Sequence, residues 1–351
     1  MKNTLTNFLC LCLLTGLVAC SQQDNSNESM NNEGQAKEPV APVMEEQAVV
    51  EEAPAPQPAL PVVGNPDHEA MLASDDPQLA ANKRLVYDFW RTLVDAHDYE
   101  AARQYADPIY IQHNPIADTG YEGVAAYFSS QGEPLPIPDM VQRPMVALLA
   151  ERDLVVTVWA REAERPNAPG QMYSYATFDM YRIADNKIVE HWDHGTLPEG
   201  MTPRNYVPPV ENPDHGKSLA SDDPMLSANK LLVYDMWRTL LDGQQVEEAP
   251  KYLSEGYIQH NPMANTGLSG FLAFFRAFAQ PREVPEKVLN FIDIVAEGDK
   301  VVMATVVNYL DSNGDPYSTT WFDMYVVEGD KLVEHWDSAN FQMPQRAPAA
   351  E

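Results

Sequence analysis

Two apolar periodicities alternate along this chain, and each is written twice. From Pro77, the residues Leu79, Leu85, Val86, Phe89, Trp90, Leu93 and Val94 recur at helical spacing. They predict an amphipathic helix with Asp75 or Asp76 as cap and Pro77 in its first turn. Asp223, Pro224, Leu231, Leu232, Met236, Trp237, Leu240 and Leu241 repeat the pattern, and both stripes read as core. A shorter helix follows around Tyr99 to Tyr105, then an extended piece over Tyr110 to Pro115 with a twin at Tyr257 to Pro262. Gly120 to Gly132 predicts a third helix, mirrored by Leu268 to Ala279. After it the period falls to two. Met145 to Leu149, Leu154 to Glu162, Tyr173 to Ile183 and Ile188 to His194 read as consecutive antiparallel strands, the last two joined by an Asp185-Asn186 turn. Helices first and a meander of strands afterwards predict an α+β unit, one curved antiparallel sheet with helices on one face.

The duplication sets the organisation. Asn65-Pro66-Asp67-His68 returns as Asn212-Pro213-Asp214-His215, and Lys187-Ile-Val-Glu-His-Trp-Asp193 returns as Lys331-Leu-Val-Glu-His-Trp-Asp337. The predicted division is an export signal over 1–20, a disordered Pro-rich acidic tether over 21–64, a first domain over 65–195, a linker over 196–211 and a second domain over 212–346.

Charge and cysteines narrow the function. With 52 acidic against 23 basic residues, the chain lacks the cationic surface that phosphate backbones require, so nucleic acid is not an expected partner. The three cysteines, Cys10, Cys12 and Cys20, all precede the tether, which leaves both domains without disulfides or thiolate metal sites. Lys2 and the apolar run Phe8 to Ala19 have the shape of a signal peptide, too short for a bilayer span. Leu17-Val-Ala-Cys20-Ser21 resembles the bacterial lipoprotein cleavage box. That resemblance implies acylation of Cys20, attachment to the cell envelope and, in a Gram-negative cell, sorting to the outer membrane facing the periplasm. No Gly-rich phosphate loop, nucleotide fingerprint or nucleophile motif occurs, so no cofactor is expected.

The last strand carries the candidate chemistry. Alternation puts His191 and Asp193 on one face and Glu190 and Trp192 on the other. A regular two-residue turn would set Met180 opposite His191 and Phe178 opposite Asp193, an ionisable pair among apolar neighbours. Phe178, Met180 and their twins Phe322 and Met324 are therefore expected to line the pocket. Burial there would favour the neutral acid and tune Asp193 towards a general base. Three readings remain open at this point: catalysis, ligand binding without turnover, and a hydrogen-bonded pair that fixes a turn. A metal site would need His113, His191 and Asp193 to converge.

Val-Tyr-Asp-x-Trp-Arg-Thr-Leu, Tyr-Ile-Gln-His-Asn-Pro, Phe-Asp-Met-Tyr and the Glu-His-Trp-Asp strand, in that order in both copies, resemble the SnoaL-like branch of the nuclear transport factor 2-like superfamily. The resemblance implies two tandem cone-shaped domains, each with a pocket for a small, mostly apolar molecule. It carries proton abstraction alpha to a carbonyl, as in aldol cyclases or isomerases, onto Asp193 and Asp337 as bases. His113 and His260 would be oxyanion donors beside His191 and His335, with no metal. It also implies that the aromatic outer face bearing Tyr173, Tyr175, Tyr181 and Trp192 pairs the two domains as an internal pseudo-dimer.

Overall fold

The computed structural model describes residues 57–130 and 132–347. The signal segment, Cys20 and most of the 21–64 tether lie outside these residues. Strand β1 (Gln57–Pro58) precedes the first domain, which runs α1 (His68–Leu72), α2 (Pro77–Trp90), α3 (Tyr99–Ala102), β2 (Ala106–Gln112), α4 (Tyr121–Ser129), β3 (Met145–Glu151), β4 (Leu154–Glu164), β5 (Met172–Ala184) and β6 (Lys187–Asp193). The second repeats it with α5 (His215–Leu219), α6 (Pro224–Met236), β7 (Leu253–Gln259), β8 (Asn265–Thr266), α7 (Leu268–Arg276), β9 (Phe291–Glu297), β10 (Lys300–Leu310), β11 (Pro316–Glu328) and β12 (Lys331–Asp337). A 3-10 turn, Val246–Lys251, replaces α3. The Asp76 carboxylate caps α2 by accepting from the Gln78 and Leu79 amides, with Pro77 at the first helical position.

Each domain forms a five-stranded sheet, in the orders β2-β6-β5-β4-β3 and β7-β12-β11-β10-β9. The sheets are not wholly antiparallel, because edge strands β2 and β7 run parallel to β6 and β12. The helices cover one face, and Val86, Trp90 and Leu93, or Val233, Trp237 and Leu240, enter the core that the pattern predicts. Asp185 and Asn186 both take positive φ, 49° and 58°, as a tight hairpin turn requires.

The hairpin register differs from the regular one. Ile183 pairs with Ile188, but Arg182 pairs with Glu190, so the strand gains one residue at Val189. This β-bulge slides every later pair by one. Tyr181 faces His191, Asp179 faces Asp193, and Met180 faces Trp192. Met180 and Phe178 consequently lie on the opposite face from the pocket, as do Phe322 and Met324. Those four side chains join one apolar cluster shared by both sheets, where the Phe178 and Phe322 rings stack at 5.6 Å and 8°. Trp192 and Trp336 belong to this cluster, whereas Tyr181 lies on the concave side against His191.

Charged groups clamp the two sheets reciprocally. Lys83 Nζ meets Glu297 Oε1 at 2.5 Å, and Lys230 Nζ meets Glu151 Oε1 at 2.5 Å. The second oxygen of each glutamate accepts a backbone amide of the other sheet, from Ala150 or Ala296.

The chain before each domain straps across the other domain. The Leu60 amide donates to Gln259 O, as the Val207 amide donates to Gln112 O, and β1 pairs with β8. Gln57 to Val62, at the end of the tether expected to be disordered, thus take a defined place. Their hydrogen bonds to the second domain and the burial of Val62 between the sheets supply the stabilisation that their composition lacks.

Candidate functional site

The concave face of the last hairpin collects more polar groups than the strand pattern alone marks. In the first domain His191 Nδ1 lies 2.9 Å from Gln112 Oε1, and Nε2 lies 2.9 Å from Asp179 Oδ1. Asp193 Oδ2 accepts from Asn114 Nδ2 at 2.7 Å. The second domain repeats the set with His335, Gln259, Asp323, Asn261 and Asp337. Asp179, Gln112 and Asn114 were not among the residues singled out from sequence. An acid inside the apolar run Phe-Asp-Met-Tyr, kept in both copies, is the signal that marks Asp179.

His113 and His260 do not join this group. They follow strands in which Gln112 and Gln259 point inward, so their own rings fall on the outer face, stacked on Trp192 at 4.9 Å and Trp336 at 4.4 Å. His113 Nδ1 lies 2.6 Å from Val207 O and Nε2 lies 3.0 Å from Glu190 Oε1. His260 makes the same links to Leu60 O, Pro61 O and Glu334. Both rings latch the straps, which removes them as oxyanion donors. His194, the other nearby histidine, contacts Tyr309 Oη and Trp321 of the second domain, and burial pulls its pKa down to about 3.

Hydrogen-bond logic fixes the tautomers. The Asn261 amide donates to Gln259 Oε1 at 2.8 Å, so that atom is an acceptor and His335 Nδ1, 3.0 Å away, must carry a proton. One mobile proton is then shared between His335 Nε2 and Asp323 Oδ1, 2.9 Å apart. The same reasoning holds for His191 and Asp179.

The two domains place that proton differently. In the first, the Trp159 indole N–H donates to Asp179 Oδ2 at 3.0 Å. Burial pulls His191 down, but the bond to Asp179 and the charge of Asp193 outweigh it, and its pKa is raised. In the second, Trp321 lies two residues along the same strand and lowers Asp323 only partly, while no donor reaches the buried Asp323 Oδ2 in hydrogen-bonding geometry. Burial therefore pushes Asp323 well up and His335 down to about 4. The shared proton is therefore drawn towards His191 in the first pair and towards Asp323 in the second. Burial also pushes Asp193 and Asp337 up to about 6.

One exchange of side chains accounts for the difference. On facing strands the first domain pairs Trp159 with Thr177, and the second pairs Thr305 with Trp321. Trp159 is wholly buried, with its ring 4.2 Å from Trp90 and its N–H on Asp179. It spans the gap between helix and floor. Arg143 stacks over Trp90 at 5.0 Å. In the second domain Thr305 and Asn290 take those places, and a cavity of about 530 Å³ opens between Trp237 and Asp323. His335, Asp337 and Tyr257 complete its polar floor, and Phe271, Phe274, Phe275 and Phe278 form an aromatic wall. A pocket was expected in each domain; in the first, the Trp159 indole occupies the corresponding space between Trp90 and Asp179. The donor atoms of Asp323, His335 and Asp337 lie within 4.8 Å of one another, as do those of Asp179, His191 and Asp193. An ion held there would have to displace the histidine–aspartate bond, since both imidazole nitrogens are already engaged.

A SnoaL-like domain model matches residues 86–191, and a SnoaL-like polyketide cyclase model matches residues 231–347. Among solved structures, one named as a candidate polyketide cyclase from Acidithiobacillus ferrooxidans is 18% identical, covering 34% of this chain and 89% of its own at a TM-score of 0.24. TsrD from Streptomyces laurentii is 20% identical over 34% and 90%, at 0.25. An M. tuberculosis LEH-like epoxide hydrolase is 12% identical over 35% and 83%, at 0.26. No curated protein matches the chain.

Proposed function

Because this chain carries two SnoaL-like domains in tandem, a scaffold that hosts different chemistries at one pocket, we propose that the second domain is the working site and the first its closed structural partner. The observation that carries this is the Trp159-to-Thr305 exchange, which fills one pocket and leaves the other open with an unpartnered carboxyl oxygen on its floor. The ligand is a small, mostly apolar molecule that fits about 530 Å³. The two domains act together as an internal pseudo-dimer. The first supports the cavity from behind, where His194 packs 5.3 Å from Trp321.

The chemistry that the floor supports best is proton abstraction alpha to a carbonyl, of aldol cyclase or isomerase type. Asp337, with a pKa near 6, is largely ionised at neutral pH yet basic enough to accept a proton. The donor to the developing enolate oxygen is the buried Tyr257 phenol, in place of His260. Binding without turnover is the second reading, favoured by the same cavity. The protein is held at the cell envelope through an acylated Cys20, which C20A should release into the soluble fraction.

Hydrogen–deuterium exchange at the alpha carbon of a small apolar ketone, followed by NMR, tests the catalytic reading. The rate should rise with pH through about 6 as Asp337 ionises, then level. D337N should lower it by roughly 100-fold or more, and a D337N rate equal to wild type would leave only the binding reading.

A further inference from the structure

The mouth of the second cavity carries two arginines that the first domain lacks. Arg282 and Arg346 both line it, and both are exposed. Leu135 occupies the place of Arg282 in the first domain, since its amide meets Ala96 O as that of Arg282 meets Gly243 O. Among the described residues Arg346 donates no side-chain hydrogen bond and neither arginine pairs with a carboxylate, in a chain with 52 acidic and 23 basic residues. Each is nonetheless positioned. Arg282 Nε donates to Asp242 O at 2.5 Å. Arg346 lies with its guanidinium 5.3 Å from the Trp321 ring centre, on a segment fastened to β10 by the Leu310 amide on Gln345 O and the Ala347 amide on Asn308 O. The guanidinium field reaches the floor, where it lowers Asp323.

The cavity is therefore polarised along its length. Its floor bears carboxyl groups, its middle is aromatic, and its mouth carries two guanidinium groups against one carboxyl, Asp242, whose pKa burial pushes up to about 6. A neutral apolar ligand would leave both guanidinium groups unused, and a cationic one would meet like charge on entry. An anion at the outer end of an apolar body satisfies all three zones.

We propose that the second-domain cavity takes a monoanionic organic acid, its apolar body against Phe271, Phe274 and Phe278 and its anionic group held at the mouth by Arg346 and Arg282. This rests on the reading that the cavity is a ligand site. The test compares two fluorescent probes that share an apolar body, anionic 8-anilinonaphthalene-1-sulfonate and neutral N-phenyl-1-naphthylamine, titrated into the full chain at low salt. The sulfonate should bind at least 10-fold more tightly, and R282Q/R346Q should erase that preference while leaving the neutral probe unchanged. The variant T305W/W321T, which keeps both arginines but closes the cavity, should bind neither. Equal affinities in the wild type, or a preference that survives R282Q/R346Q or persists in the closed variant, would overturn the anionic assignment. Failure of both probes to bind the wild type would instead overturn the cavity as a ligand site, and this assignment with it.

Discussion

Thr305→Trp should abolish ligand binding to the second domain. The introduced indole would occupy the space that Trp159 fills in the first domain, between the helix tryptophan and the floor aspartate. We expect affinity for N-phenyl-1-naphthylamine to fall by about 100-fold or more, roughly 3 kcal/mol. The indole N–H would also reach Asp323 and draw the shared proton towards His335, as the Trp159 N–H sits on Asp179 in the first domain. Because residue 305 faces Trp321 across the strands, the single variant sets two indoles side by side. T305W/W321T transplants the first domain's pairing entire and should retain wild-type thermal stability. Unchanged binding by that folded double variant would show that the open volume is not where the ligand sits.

Lys230→Met should be the most destabilising single change at the contact between the domains. Lys230 is completely buried and donates to Glu151 and to the Ser218 and Ala220 carbonyls. Burial lowers its pKa, and Glu151 holds it charged. Removing one partner of a buried pair leaves an uncompensated charge, typically about 3–5 kcal/mol. Arg152, 3.3 Å from Glu151 Oε2, retains part of the compensation, so the low end, about 3 kcal/mol, is expected. In calorimetry the melting temperature should fall on the order of 10 °C. K230M/E151Q removes the stranded charge, keeps an acceptor for the Ala296 amide, and should recover most of the loss. Lys83→Met should cost less, because the Glu297 side chain is 28% exposed and stays hydrated. A K230M protein within about 1 kcal/mol of wild type would mean that the shared apolar cluster alone holds the sheets.

The architecture was legible because periodicity and repetition agree. The stripe through Val86, Trp90 and Leu93, the Pro77 helix start and the Asp185-Asn186 turn are local signals, and local physics decides them. The site was legible only in part. His191 and Asp193 share a face whatever the register, but their neighbours depend on the bulge at Val189, which no residue type announces. One slipped residue sent Phe178 and Met180 to the other side of the sheet and brought in Tyr181 and Asp179. The inward direction of Gln112, and hence the outward direction of His113, follows from a parallel edge pairing with β6 that joins residues far apart in sequence. The exchange of Trp159 and Thr177 for Thr305 and Trp321 was visible in the letters. Its meaning appears only when the two strands are seen to face each other.

The central claim is that one domain holds the ligand and the other closes around a tryptophan. It is tested most directly by the stoichiometry of N-phenyl-1-naphthylamine bound to the wild-type chain at saturation, measured by equilibrium dialysis. One molecule per wild-type chain, lost in T305W/W321T and raised towards two in W159T/T177W, which copies the open pairing into the first domain, is the result predicted. Two molecules per wild-type chain, or one that persists in T305W/W321T, would contradict it.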